Sequence, residues 1–115
     1  MQTDNLILTK SFDFALYIIE YAELLEENRK FVISNQVLKS GTSIGANIRE
    51  AQSAESRADF IHKMKIALKE AEETEYWLLL CKHSAKYPFR EELLEELKPI
   101  LKILNSIIHS SIKNK

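Results

Sequence analysis

FIHKMKIALKEAEETEYWLLLCKHSA, residues 60–85, places Phe60, Met64, Ala67, Ala71, Thr74, Leu78, Cys81 and Ala85 at alternating steps of four and three. That alternation is a heptad seam, the apolar stripe by which one helix packs along another. Ile61, Leu68 and Leu79 flank it. Upstream, Ser56 followed three residues later by Asp59 forms a variant capping box, with Asp in place of the usual Glu or Gln. The helix is expected to run to Lys86, about 45 Å at 1.5 Å per residue. Tyr87-Pro88 should end it, because the residue before proline avoids the α region.

A seam of this length requires other helices to cover it, and three more are legible. The first is expected from about Ser11, a plausible N-cap, to Glu27, with Phe12, Ala15, Ile18, Ile19, Ala22 and Leu25 at helical spacing. Asn28 to Ile33 reads as the first connection. The second helix is expected from about Ser34 to Glu55, with Val37, Gly41, Ile44, Gly45, Ile48 and Ala51 on one stripe. The fourth carries Leu93, Leu94, Leu97, Ile100, Leu101, Leu104, Ile107 and Ile108, interrupted by Pro99, which either kinks or splits it. Four amphipathic helices with short links should form one domain over residues 1–115, an all-α, antiparallel up-down four-helix bundle.

Composition agrees. The 115 residues are 45% apolar and 29% charged, with only two Gly and two Pro, a balance typical of globular chains with few, long elements. Both glycines, Gly41 and Gly45, lie on the stripe of the second helix. Each costs a helix about 1 kcal/mol relative to Ala, so close backbone approach by a neighbouring helix is the expected compensation. A phosphate-cradling loop would need a preceding strand and a fuller glycine pattern.

A lone cysteine, Cys81, permits no internal disulfide and fits a small apolar filler in a reduced, cytoplasmic setting. The opening MQTDNLILTK has no basic leader with an apolar run behind it. No apolar stretch approaches the roughly 18–20 residues that span a bilayer, so a soluble protein without a membrane partner is expected. The net charge of −1 argues against a general electrostatic grip on nucleic acid. The signs are nevertheless segregated: Arg57, Lys63, Lys65 and Lys69 precede Glu70, Glu72, Glu73 and Glu75, residues 90–96 are acidic overall, and Lys98, Lys102, Lys113 and Lys115 follow without an acid. Those four cations of residues 57–69 are the candidate nucleic-acid contacts.

No catalytic constellation emerges. His62, His83 and His109 lie in separate regions without a His or Cys partner at ligand spacing, and no Glu-x-x-His, the signature of a carboxylate-bridged di-metal bundle, is present. Glu75 and Lys82, seven residues apart, with Arg57 on the same side, read as a boundary ion pair whose stems pack on apolar neighbours. No enzymatic activity, cofactor, metal or small-molecule substrate is expected.

A second surface lies on the third helix. At 100° per residue, Ile66, Glu70, Glu73, Trp77 and Leu80 share a side away from the seam, where a monomeric bundle has no use for Trp, Ile and Leu. Ser43, Ala46, Asn47 and Ser53 give the second helix a small-residue back face, and Lys39 and Arg49 are candidate cations for the two carboxylates. Homo-oligomerisation through this strip is the economical expectation.

The run SGTSIGANIREAQSAESRADFIHKMKIALKEAEETEYWLLL, residues 40–80, resembles the four-helix-bundle proteins of the 23S rRNA intervening-sequence type. The likeness is densest over Ser40–Ala51 and Asp59–Leu80, and the helix spacing fits along nearly the whole chain. The resemblance implies an antiparallel bundle assembling into a ring-like homopentamer without known enzymatic activity. The same fold group includes the accessory variability determinant of diversity-generating retroelements, a pentameric barrel thought to bind nucleic acid and reverse transcriptase through basic surfaces. Two functions are therefore expected to compete: an oligomeric binder of structured RNA or a ribonucleoprotein, and a protein–protein scaffold with no nucleic-acid ligand.

Overall fold

The structure, a computed structural model, describes residues 5–113. Lys115 of the basic tail and the first four residues of the opening decapeptide lie outside them. Four helices follow one another: α1 (Asn5–Glu27), α2 (Phe31–Ala51), α3 (Arg57–His83) and α4 (Glu92–Lys113). Packing runs α1 on α2, α2 on α3, α3 on α4 and α4 back on α1, which is the up-down bundle, 48 by 20 by 19 Å.

The seam of α3 is as the spacing predicts: Phe60, Met64, Ala67, Ala71, Thr74, Leu78 and Cys81 are all buried. Its start is also as expected. Asp59 N–H donates to Ser56 Oγ at 3.0 Å, and the Asp59 carboxylate accepts from Glu55 N–H at 3.3 Å, satisfying two donors at the helix start. The end comes earlier than Lys86. Ser84 turns extended at ψ 124°, so Ala85 leaves the seam and is exposed, and the break falls before Tyr87-Pro88 rather than at it.

Helix α1 departs most from the sequence expectation. It begins at Asn5, not Ser11, and Ser11 caps nothing: it is buried mid-helix with Oγ donating to the Leu8 carbonyl at 3.3 Å. The buried row is Ile7, Ser11, Phe14, Ile18, Tyr21 and Leu25, a 4-3-4-3-4 seam. Phe12 and Ile19, expected in the core, are 54% and 40% exposed. The reason is physical: a polar residue stands in the true seam and apolar residues stand outside it, so hydrophobicity alone selects the wrong face.

The first connection is shorter than expected, because Phe31–Ile33 already belong to α2. Only residues 28–30 link the helices, and Arg29 adopts φ 63°. Arg29 N–H donates to the Glu26 carbonyl and Lys30 N–H to the Leu25 carbonyl, both at 2.8 Å, which is a Schellman stop with a non-glycine in the left-handed position. Helix α2 ends at Ala51 rather than Glu55. Pro99 lies inside an unbroken α4, with Leu97 and Ile100 buried around it.

The two glycines differ in what they accommodate. A Cβ on Gly41 would stand 2.8 Å from both Cγ1 and Cγ2 of Ile18, so here a side chain, not backbone, fills the space. At Gly45 the neighbour is Ser11, its carbonyl oxygen and Oγ each 3.4 Å away, the backbone approach expected of both. Between α2 and α3, buried Thr74 Oγ1 donates to Ser40 Oγ at 2.9 Å, and Ser40 Oγ donates to the Gln36 carbonyl at 3.0 Å. One end of the bundle is tied by Tyr21, whose hydroxyl donates to the Pro88 carbonyl at 2.7 Å and whose ring meets Phe89 edge-on at 6.1 Å. Lys30 Nζ sits 4.9 Å over the Tyr87 ring, joining the two loops of that end.

Candidate interaction surfaces

Helix α3 presents its strip beside α2. Ile66, Glu70 and Trp77 are half-buried along the α2–α3 line, while Glu73 and Leu80 are exposed, Leu80 to 39%. Trp77 is more involved with the monomer than its helical angle suggests, because its indole packs against the core edge. Its Nε1 donates to Glu73 Oε2 at 3.1 Å and its ring meets exposed Tyr76 at 5.4 Å. Burial, and then the neighbouring Glu73 carboxylate, push the Glu70 carboxyl up from its ordinary value; Lys39 and Lys69 pull the other way. The strip thus holds two carboxylates close together among apolar surface.

The four cations of α3 do not converge on one face. Lys63 is half-buried and pairs with Glu50 of α2 at 3.3 Å, and Arg57 is exposed nearer the α4 side. Lys65 and Lys69, one turn apart and both exposed, share the outward ridge of the helix. Chain direction nevertheless groups charge by end. The antiparallel topology puts the start of α3 beside the end of α4 with Lys113, while Glu70–Glu75, Glu91–Glu96 and Glu20–Glu27 bring their carboxylates to the opposite half.

The back face of α2 is self-contained: Ser43 Oγ donates to the Lys39 carbonyl at 2.7 Å and Asn47 Nδ2 to the Ser43 carbonyl at 2.8 Å. Lys82, expected near Glu75, pairs instead with Glu91 across the α3–α4 turn at 3.1 Å. His62, His83 and His109 are exposed, and among the described residues no group of three or more His, Cys, Asp and Glu gathers at metal-binding distance. Cys81 is buried beside the Tyr21 hydroxyl, and burial raises both groups above their ordinary values. Among the described residues no helix is long and apolar enough to cross a membrane.

A further apolar face escaped the sequence reading because two of its residues, Phe12 and Ile19, are expected in the core. Phe12, Leu16 and Ile19 of α1 are 54%, 47% and 40% exposed and follow one another at helical spacing. Beside them, Leu8, Ala15, Thr42, Ala46 and Arg49 help to line a shallow cleft of about 120 Å³ between α1 and α2. The signal that reveals this face is the 4-3 phase through Ile7, Phe14 and Tyr21, which leaves Phe12, Leu16 and Ile19 outside.

The profile of the 23S rRNA-intervening sequence protein family matches residues 3–109. Among solved structures, a protein of unknown function from the S23 ribosomal protein family of Bacteroides thetaiotaomicron is similar at 52% identity and a TM-score of 0.80, covering 89% of this chain and 97% of its own. No curated protein matches.

Proposed function

Because the chain belongs to the 23S rRNA-intervening sequence protein family, we propose that it is a non-enzymatic, self-associating helical bundle whose basic surface takes structured RNA or a ribonucleoprotein. The observation that carries the ligand half is the outward ridge of Lys65 and Lys69, both exposed on the first half of α3. Phosphate contacts release counterions, and repeating a two-lysine ridge in each subunit multiplies that gain without a strongly basic monomer. The assembly implied by the family resemblance is a homopentamer. Its basis in this chain is the α3 strip, where Leu80 and Tyr76 remain exposed beside Trp77.

A mobility-shift titration with a structured ribosomal RNA fragment over a salt series tests the ligand. Binding should strengthen as salt falls, and Lys65→Glu with Lys69→Glu should weaken it and flatten the salt slope. Lack of a shift even at low salt overturns the nucleic-acid reading. The scaffold alternative draws on the exposed Phe12, Leu16 and Ile19; retention of one defined partner after nuclease treatment would favour it.

A further inference from the structure

Helix α4 lies diagonally across the bundle from α2, because each helix packs on its neighbours in the order α1, α2, α3, α4. Two clefts flank its first half. Toward α1, Tyr17 and Leu93 stand with Glu20, Glu92 and Glu96 around a cleft of about 300 Å³. Toward α3, Leu79 and Leu94 stand with Glu75, Glu91 and Glu95 around another of about 340 Å³. Each keeps apolar surface open to solvent: Tyr17 is 47% exposed and Leu79 41%. Lys82 meets Glu91 at 3.1 Å and Arg90 stands 4.0 Å from Glu20. Glu75, Glu92, Glu95 and Glu96 are left with one cation, Lys98, among the lining residues. Glu92 and Glu95 favour the positive end of the helix they open. Glu75 and Glu96 lie outside that turn and gain nothing of the kind.

We infer that this face of α4 is a docking site for a basic polypeptide segment, which crosses the helix and sets one Arg or Lys side chain in each cleft. Charge complementarity selects a cationic partner, and the apolar surface beside the carboxylates selects one with long side-chain stems. On the α1 side a guanidinium meets the Tyr17 ring together with the Glu92 and Glu96 carboxylates. On the α3 side Leu79 and Leu94 take the stem of a second cation, whose head reaches Glu75 and Glu95. The clefts lie on the two flanks of one helix, roughly 10 Å apart, a span that an extended segment covers in about three residues. Phosphate is repelled by the same carboxylates, so this surface is distinct from the lysine ridge of α3. It is also apart from the strip of Ile66, Trp77 and Leu80, which borders α2, so self-association through that strip leaves it open. The inference rests on neither of those readings.

Fluorescence anisotropy with a fluorescein-labelled peptide carrying arginine at every third position, between serine and leucine, tests the site. Wild type should bind it at low salt and should not bind the counterpart with glutamine for arginine. Glu92→Gln with Glu96→Gln, and Glu75→Gln with Glu95→Gln, should each weaken binding about fivefold, the loss of two ion pairs near the surface. Glu26→Gln with Glu55→Gln makes the same charge change at exposed positions outside both clefts and should alter binding less than about twofold. Equal losses in all three variants would mean attraction by overall charge alone and overturn the site, as would a wild type that ignores the peptide at low salt. Sedimentation and ribosomal RNA binding of the α4 variants should match wild type. Loss of assembly would make the face a contact between copies, and weakened RNA binding would make it a nucleic-acid contact; either result overturns the basic-segment assignment. Should the Glu75 variant fail to fold by circular dichroism, the Glu92 and Glu96 pair decides alone, because both side chains are exposed.

Discussion

Alanine at Gly41 and alanine at Gly45 should shift stability in opposite directions, although the two sites are one helical turn apart. Each substitution gains about 1 kcal/mol of helix propensity. At Gly41 the new Cβ meets Cγ1 and Cγ2 of Ile18 at 2.8 Å and Cδ1 at 3.2 Å, well inside the roughly 3.5–4.0 Å optimum for carbon pairs. Both near carbons branch from the same Cβ, so no single rotation of Ile18 clears them, and its neighbours leave it 0% exposed. Overpacking of this kind costs roughly 1–3 kcal/mol, here toward the upper end, for a net loss of about 1–2 kcal/mol. At Gly45 the nearest atoms stand 3.4 Å away, an accommodable contact, so Gly45→Ala should be neutral or up to about 1 kcal/mol more stable. Urea unfolding at one fixed protein concentration measures both, the concentration being held because self-association shifts apparent stability. Ile18→Ala placed in the Gly41→Ala background removes both clashing carbons, so the double mutant should be more stable than the sum of the single losses predicts. Equal stability of the two glycine variants would refute the steric reasoning.

Tyr21→Phe should cost about 1 kcal/mol in thermal or urea unfolding, since it deletes the bond to the Pro88 carbonyl while keeping the ring. Burial raises the Tyr21 phenol above its ordinary range, so the unfolded chain loses its proton first. Native stability should accordingly fall as pH rises past about 10, and Tyr21→Phe should blunt that fall. Arg29→Gly should stabilise by roughly 0.5–1 kcal/mol, because φ 63° penalises a Cβ at that Schellman position; a lower Tm would contradict the assignment. Ser56→Ala should cost about 1 kcal/mol through loss of the acceptor for Asp59 N–H. Glu70, with its folded value raised, ionises sooner in the unfolded chain and opposes folding above the carboxylate range. Glu70→Gln should therefore be at least as stable as wild type at pH 7, with any advantage fading on acidification.

The third helix was readable to the residue at its start because Ser56, Asp59 and the seam agree at every level, and the bundle followed from that helix. The stripe expected for the first helix mixes buried Ile18, Ala22 and Leu25 with the outward Phe12 and Ile19. Apolar residues surround α1, so periodicity alone did not set its phase; buried Ser11 and unassigned Tyr21 hid the true row, and Phe12 and Ile19 filled the gap. The same error concealed the α1–α2 face, since a residue counted as core is not considered as surface. The α3 strip was visible because its helix had an unambiguous seam from which outward could be measured. What an angle did not reveal was the depth of Trp77, which depends on how closely α2 approaches.

The hydroxyl pair between α2 and α3 has a consequence for which of several similar bundles the chain adopts. A seam repeating every seven residues fits its neighbour nearly as well after sliding by one repeat, about 10.5 Å. Such a slide would set Ser40 against Ala67 or Cys81 in place of Thr74. Neither hydroxyl would be stranded, because the Gln36 and Glu70 carbonyls of their own helices lie 3.0 and 2.7 Å away. Only the bond between helices would vanish, worth about 1 kcal/mol. Spread over two alternative slides, that is a population bias of roughly fivefold against each, a vernier adjustment that selects the register while the apolar seam supplies the adhesion.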